Sequence, residues 1–362
     1  MPNQSQPIIA HFLLHSVLSD SPPNQALKKA FSDLGFSVDE FSPDAEPSGS
    51  QTQVSLGLKW LVKNIWRTHW RKYDAFSCTS EDPVVLAGLL SYVWRKPLIF
   101  ISDEIKSGSY RGDRPEYWKK ICRWAMRRAS ITIVNDEARI ELQREYAALE
   151  DAQKVVVYPG CFLNPPEPGN VAALRKEWGV TKDQSVLCFS GACNLTTGID
   201  LALDALKNRA DLCLVTQPLA INDLDRFFLD RLIYSERLFV QEQRLTWNDS
   251  WASAAAADIG VAFYRNQAPQ FRNMGISSNR LCMFLAMGVP VIVDRQPSFD
   301  FLHDYKCGIQ VTTQDEFDDA VKTILADLDN YKKNALRCTQ DYINTKRRYK
   351  VLHDQLEIEL RA

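Results

Sequence analysis

The sequence predicts an α/β protein of two doubly wound domains whose strand C-termini face a cleft, and three observations predict it. Short runs rich in Val, Ile, Leu and Phe alternate almost throughout with amphipathic stretches of helical period, the pattern of parallel strands joined by crossover helices. A stiff joint, Asn164 to Asn170 (NPPEPGN), interrupts the alternation. The 362 residues also exceed what one ordinary core accommodates. The domains are therefore read as residues 1–163 and 171–335, followed by a helical region over 336–362.

In the first domain Ile8 to His15 reads as a buried strand and Asn24 to Leu34 as a helix closed by Gly35, with Phe36 to Phe41 as the next strand. After a loop of Pro, Ser and Gly, a helix is expected from Leu56 to about Lys72. Strands at 73–78, 96–102, 131–135 and 154–158 then alternate with helices at 84–94, 116–128 and 137–149, for a sheet of about six strands. The second domain repeats the pattern. Strands are expected at 185–190, 211–215, 238–241, 258–263 and 290–293, with helices at 198–206, 223–232, 247–257, 279–287 and 314–328 and a long charged helical region at 331–360.

Composition narrows the function classes. Hydrophobic residues at 45% and charged residues at 24% are those of a globular protein rather than a disordered one. A net charge of −2, with no basic tail, gives no reason to expect nucleic acid. The nine cysteines are scattered and never spaced as CxxC, which fits buried thiols in a reducing compartment. Neither HExxH nor a Cys/His cluster occurs, so no metal site is expected. The N-terminus lacks the basic region of a signal peptide, and no apolar run reaches the roughly 18 residues of a membrane span. A cytoplasmic protein is the expectation, with a peripheral position at the inner face of a membrane as its variant.

The most informative segment is Ser277 to Val293, SSNRLCMFLAMGVPVIV. Two serines are natural N-caps, Gly288 is a helix stop, and Pro290 opens a β-branched strand. Such a helix start presents unpaired N–H groups and a partial positive charge, which Arg280 in the first turn reinforces, so it can hold an anion. An ordinary capped helix before a buried strand explains the same residues.

This segment resembles the donor-site motif of group 1 (family 4) glycosyltransferases of the GT-B fold, with Asn279, Leu281, Ala286, Gly288, Pro290 and Val291 matching and Arg280 at the place of a lysine that contacts the donor diphosphate. Val186 to Leu203 is similar to the strand, glycine loop and helix that open that family's second domain, where Gly191 lets the backbone approach the donor. Phe239 to Tyr264 and Ile133 to Gly160 resemble further segments in the family's order. The resemblance implies two Rossmann-like domains, a nucleotide-sugar donor as substrate, no cofactor, no metal, and transfer of a hexose with retention to a glycan or lipid-linked acceptor in surface polysaccharide or glycoconjugate synthesis. Two departures stand out. Met283 replaces a glutamate that hydrogen-bonds the donor ribose, and the loop after Gly191 ends in Thr196-Thr197-Gly198 where relatives carry a basic residue. Donor binding then rests on Arg280, the Ser277/Ser278 helix start, and Arg265 or Arg272. A non-catalytic binding or scaffold protein of the same fold and a nucleotide-sugar epimerase are the alternatives.

On the acceptor side, LIFISDEI (98–105) is a buried strand ending in Asp103 and Glu104, which resemble a family His-Glu pair. A carboxylate there can orient a sugar hydroxyl or take the acceptor's proton, whereas a plain turn cap is the structural alternative. His11 and His15 read either as core residues or as groups reaching the cleft. In the 56–72 helix, Leu58, Leu61, Val62, Ile65 and His69 form a core stripe, leaving Lys59, Lys63, Arg67, Arg71, Trp60 and Trp70 outside. Lys120, Arg123, Arg127 and Trp124 extend the basic character. Such faces suit an anionic membrane surface or an acidic glycan, and a solvated face reads equally well.

Overall fold

The computed structural model describes residues 6–44, 51–54, 68–105, 115–191, 195–217, 237–241, 245–266 and 268–361. The chain forms two compact units. One comprises residues 1–163, 268–270 and 345–362, the other residues 164–267 and 271–344.

Unit 1 holds seven parallel strands, β1 (Ile8–Phe12), β2 (Ser37–Ser42), β3 (Gln51–Gln53), β4 (Ala75–Thr79), β5 (Leu98–Ser102), β6 (Ile131–Val134) and β7 (Lys154–Val157), in the order β3-β2-β1-β4-β5-β6-β7. Between them run α1 (Pro22–Asp33), α2 (Glu81–Trp94), α3 (Glu116–Met126) and α4 (Ala138–Ala147). Because successive strand residues point to opposite faces, Leu98 and Phe100 enter one core with Val84, Leu90 and Met126, while Ile99 and Ile101 enter another with Leu27, Phe31 and Leu352. Burial on both faces explains why the strands are continuously apolar. Leu352 and Leu356 come from the last helix, Thr345–Arg361, which covers the α1 face.

Unit 2 holds β8 (Ser185–Ser190), β9 (Leu212–Gln217), β10 (Leu238–Val240), β11 (Ile259–Ala262), β12 (Val291–Asp294) and β13 (Gly308–Val311), in the order β10-β9-β8-β11-β12-β13. Its described helices include α5 (Val171–Glu177), α6 (Ile199–Asn208), α7 (Trp247–Ala255), α8 (Asn279–Ala286), α9 (Gln314–Ala326) and α10 (Leu328–Cys338). Helices α6 and α9 pack together on one face, whereas α8 packs with α7 and α10. Both sheets are doubly wound: the winding reverses between β1 and β4 in unit 1 and between β8 and β11 in unit 2, and crevices at the C-terminal ends of such strand pairs are where these sheets take ligands.

Several details differ from the sequence reading. Strand β3 arises inside a polar loop and β13 starts at a glycine, and neither carries an apolar run long enough to announce a strand. The chain returns to unit 1 at 344/345 rather than 335/336, because α10 and the π-helical turn over 339–343 still belong to unit 2 and Asn344, at φ 40°, ends that turn. Trp70 is a correction. It is 1% exposed and packs against Phe12, Phe41 and Tyr73 at ring-centroid distances of 5.7, 5.4 and 5.9 Å. Trp70 lies in the 3-10 turn Thr68–Lys72, which leads into β4, and its indole completes the aromatic cluster formed by Phe12 of β1, Phe41 of β2 and Tyr73. Trp60, Lys63 and Arg67 lie outside the described residues, as does the helix expected at 223–232. Among the described residues no helix is long and apolar enough to cross a membrane.

Candidate functional site

At the reversal point of unit 2, Arg280 of α8 reaches over the ends of β8 and β11. Its guanidinium lies 4.9 Å from the ring centroid of Phe189, the penultimate residue of β8, and 5.6 Å from that of Tyr264, which follows β11. It also presses on Gly191 so closely that a Cβ there would overlap Nη2, and the φ of 102° at this position is one that favours glycine. The planar cation is thus pinned by two aromatic rings and a bare backbone. Arg280 Nη1 is buried and has no hydrogen-bond partner. An unsatisfied buried donor costs about 1–3 kcal/mol, more when charged, so an acceptor offered at this atom would be held strongly.

Around it the elements are braced. Ser278 caps α8, its Oγ accepting from Leu281 N at 3.0 Å, and the Tyr264 hydroxyl lies 2.5 Å from the same Oγ. Asp294, at the end of β12, accepts from Tyr264 N at 2.7 Å and from Gln296 Nε2 at 2.7 Å, and burial raises its carboxyl above the usual range. Ser277 is buried with its hydroxyl on Met274 O, so it supports the loop. Asn279 is the first residue of α8 and partly buried, and Met283 is 5% exposed. Arg265 Nη1 donates to both carboxylate oxygens of Asp200, Oδ1 at 2.9 Å and Oδ2 at 2.8 Å, so in this structure its guanidinium is directed to a carboxylate of α6. Arg272 is exposed. Gly198 is needed for packing, since a Cβ there would come within 2.5 Å of Phe263.

In unit 1, Asp103 follows β5. Ser80 Oγ contacts both of its carboxylate oxygens at 2.8 and 2.7 Å, and Glu104 N donates to Oδ1 at 2.9 Å. Burial of the carboxyl and the charge of Glu104 push its pKa up to about 6, against the lowering effect of Ser80. Ser80 has φ 78° and ψ 163°, a conformation close to glycine-only that costs on the order of 1–3 kcal/mol. Arg139, 4% exposed, donates from Nη1 to Asp103 O and from Nη2 to Gln270 O, tying the 268–270 segment to the end of β5. The arrangement gives unit 1 a carboxyl group poised to exchange a proton near neutral pH, held by a strained serine.

His11 is a core residue: it is fully buried, with Nδ1 2.6 Å from Ser77 Oγ and Nε2 3.0 Å from Asn24 Oδ1, and burial lowers its pKa to about 4. His15 is exposed and pairs with Asp44 at 3.7 Å. Ser80, Arg139 and Gln217 escaped the sequence reading. Gln217 had a legible signal, as a polar residue ending an apolar strand where parallel sheets take ligands. Nothing in the surrounding NDEARIEL marks Arg139 as buried, and a serine at positive φ has no sequence signature.

The two doubly wound units place the chain in the class of two-domain, Rossmann-like folds known as GT-B. Among solved structures it is similar to the sucrose-phosphate synthase of Thermosynechococcus elongatus, at 15% identity over 98% of this chain and 99% of that one with a TM-score of 0.73. It is similar also to Anabaena HepE in complex with UDP, at 15% identity, 97% and 100% coverage and a TM-score of 0.69. A putative UDP-N-acetylglucosamine 2-epimerase from Listeria monocytogenes matches at 13% identity, 96% and 95% coverage and a TM-score of 0.59. No family model matches the chain, and no curated protein matches it.

Proposed function

We propose that the chain is a glycosyltransferase that moves a sugar from a nucleotide-sugar to a hydroxyl of a glycan or lipid-linked acceptor. The observation that carries the reading is the unpartnered Arg280 Nη1, held at the capped start of α8 over Gly191. A diphosphate oxygen satisfies that donor, and the helix start adds favourable potential. In the transfer, the bond between the sugar C1 and the diphosphate oxygen breaks and its electron pair leaves on the diphosphate. The acceptor oxygen bonds to C1, and its proton passes to a base. Arg280 and α8 stabilise the charge developing on the leaving group. Asp103, supported by Glu104, is the group assigned to the acceptor's proton, because its raised pKa keeps it ready to receive one. A hexose donor completes the proposal, with configuration retained where the acceptor oxygen approaches C1 from the face that the diphosphate leaves. Anabaena HepE has been solved with UDP and with UDP-glucose, which recommends uridine nucleotides as first probes. Calorimetry with UDP and with inorganic pyrophosphate tests the donor site: both are expected to bind, and binding of neither would remove the reading.

A membrane-bound acceptor draws support from α3. Lys120 and Arg127 are exposed, as are Tyr92 and Tyr117, and Arg128 lies 4.9 Å from the Tyr92 ring and 5.8 Å from that of Trp124. Each cation near an anionic surface contributes on the order of 1 kcal/mol and is screened by salt. Co-sedimentation with anionic vesicles at low salt, lost at high salt and weak with neutral vesicles, is the expected result. Absence of low-salt binding would favour a soluble glycan.

A further inference from the structure

Gln217, the last residue of β9, is 5% exposed, and both its Nε2 and its Oε1 lack a hydrogen-bond partner. A carboxamide left wholly unsatisfied in a protein interior is costly, and such a group persists where something outside the chain completes it. Its position is specific. Gln217 pairs in register with Ser190 of β8, and its carbonyl accepts from Gly191 N at 2.9 Å, so it adjoins the glycine against which Arg280 packs. Strand alternation separates Gln217 from Leu212 and Leu214, which face the α6/α9 core, and puts it on the face that carries α8. On the outer side, Gln241 N donates to Thr216 O at 2.9 Å, so β9 and β10 end together beside it.

Two unsatisfied groups of different chemistry therefore flank one glycine: a cationic donor and a paired donor and acceptor. We propose that Gln217 binds the base edge of the donor nucleotide, its amide matching an adjacent donor and acceptor such as the imide edge of uracil. The inference rests on the donor reading of Arg280. A rigid base edge offers both complementary atoms in one plane, which is the pattern a carboxamide requires. Gln217 is then a recognition residue with no part in the transfer step.

The test uses Gln217→Leu and Gln217→Ala in the full chain, titrated with UDP, GDP, ADP, ribose 5-diphosphate and inorganic pyrophosphate. For the nucleotide that wild type binds most tightly, the affinity of both variants is expected to fall about ten- to a hundredfold, with pyrophosphate and the base-free ribose 5-diphosphate bound as by wild type. Without ligand, Gln217→Leu is expected to melt at a higher temperature than wild type, since it removes an unsatisfied amide at little change of volume. A purely structural role predicts the opposite shift. Equal weakening toward ribose 5-diphosphate, or unchanged nucleotide affinity, would overturn the base contact while pyrophosphate binding that depends on Arg280 leaves the donor reading standing. A wild-type chain that binds none of the five probes would remove both.

Discussion

Replacing Arg280 by alanine is expected to lower the affinity for UDP, and for inorganic pyrophosphate with it, by about a hundredfold. A buried, charge-assisted hydrogen bond to a phosphate contributes roughly 1.5–3 kcal/mol, and the guanidinium supplies charge as well as a fixed direction. That direction comes from the rings of Phe189 and Tyr264 and from the close approach at Gly191, none of which a lysine reproduces. Arg280→Lys should accordingly recover only part of the loss. The fold should survive both changes, because the alanine variant discards a donor that has no partner in the unliganded chain. Calorimetry beside a thermal melt checks these outcomes. A folded alanine variant with wild-type affinity would place the donor phosphates elsewhere.

The second large effect falls on unit 1. Asp103→Asn is expected to reduce kcat about a hundred- to a thousandfold with little change in UDP affinity, since an amide cannot take the acceptor's proton. In the wild type the rate should decline as pH falls through about 6, because only the ionised carboxylate accepts a proton. Stability should move oppositely. The native state holds this proton more tightly than an unfolded aspartate does. The stability so gained is fully present below the unfolded value near 3.8 and is lost as pH rises through about 6. Asp103→Asn should therefore be more stable than wild type by about 1–3 kcal/mol at pH 7.5, the gap closing toward pH 4. A variant that loses activity and stability together at pH 7.5 would make Asp103 a structural residue instead.

The fold was legible because parallel sheets write themselves as continuous apolar runs: LIFIS and VIVD could hardly be anything but buried strands. The NPPEPGN segment, rich in proline, stands at the start of unit 2, which begins at Asn164. Position within the site was harder. Arg280 could be picked out by its place in the first turn of a capped helix, but its stacking on Phe189 and Tyr264 joins residues far apart in sequence. The Asp200 partner of Arg265 was hidden for the same reason. Trp70 shows where periodicity misleads, for its burial comes from the rings of Phe12, Phe41 and Tyr73, two of which lie on strands distant in sequence. Ser80 and Arg139 depend on tertiary contacts alone, and local sequence carries no trace of those.

Release of nucleoside diphosphate from a panel of nucleotide-sugars measures sugar transfer most directly. With UDP-glucose and other UDP-, GDP- and ADP-hexoses, the wild-type chain is expected to release diphosphate from at least one donor, faster with a glycan or lipid-linked acceptor present. The release should fall in Arg280→Ala and in Asp103→Asn by the factors given above. Tight donor binding without any release, or inversion of a sugar centre while the nucleotide stays attached, would contradict the account and make the chain a binding protein in the first case and an epimerase in the second.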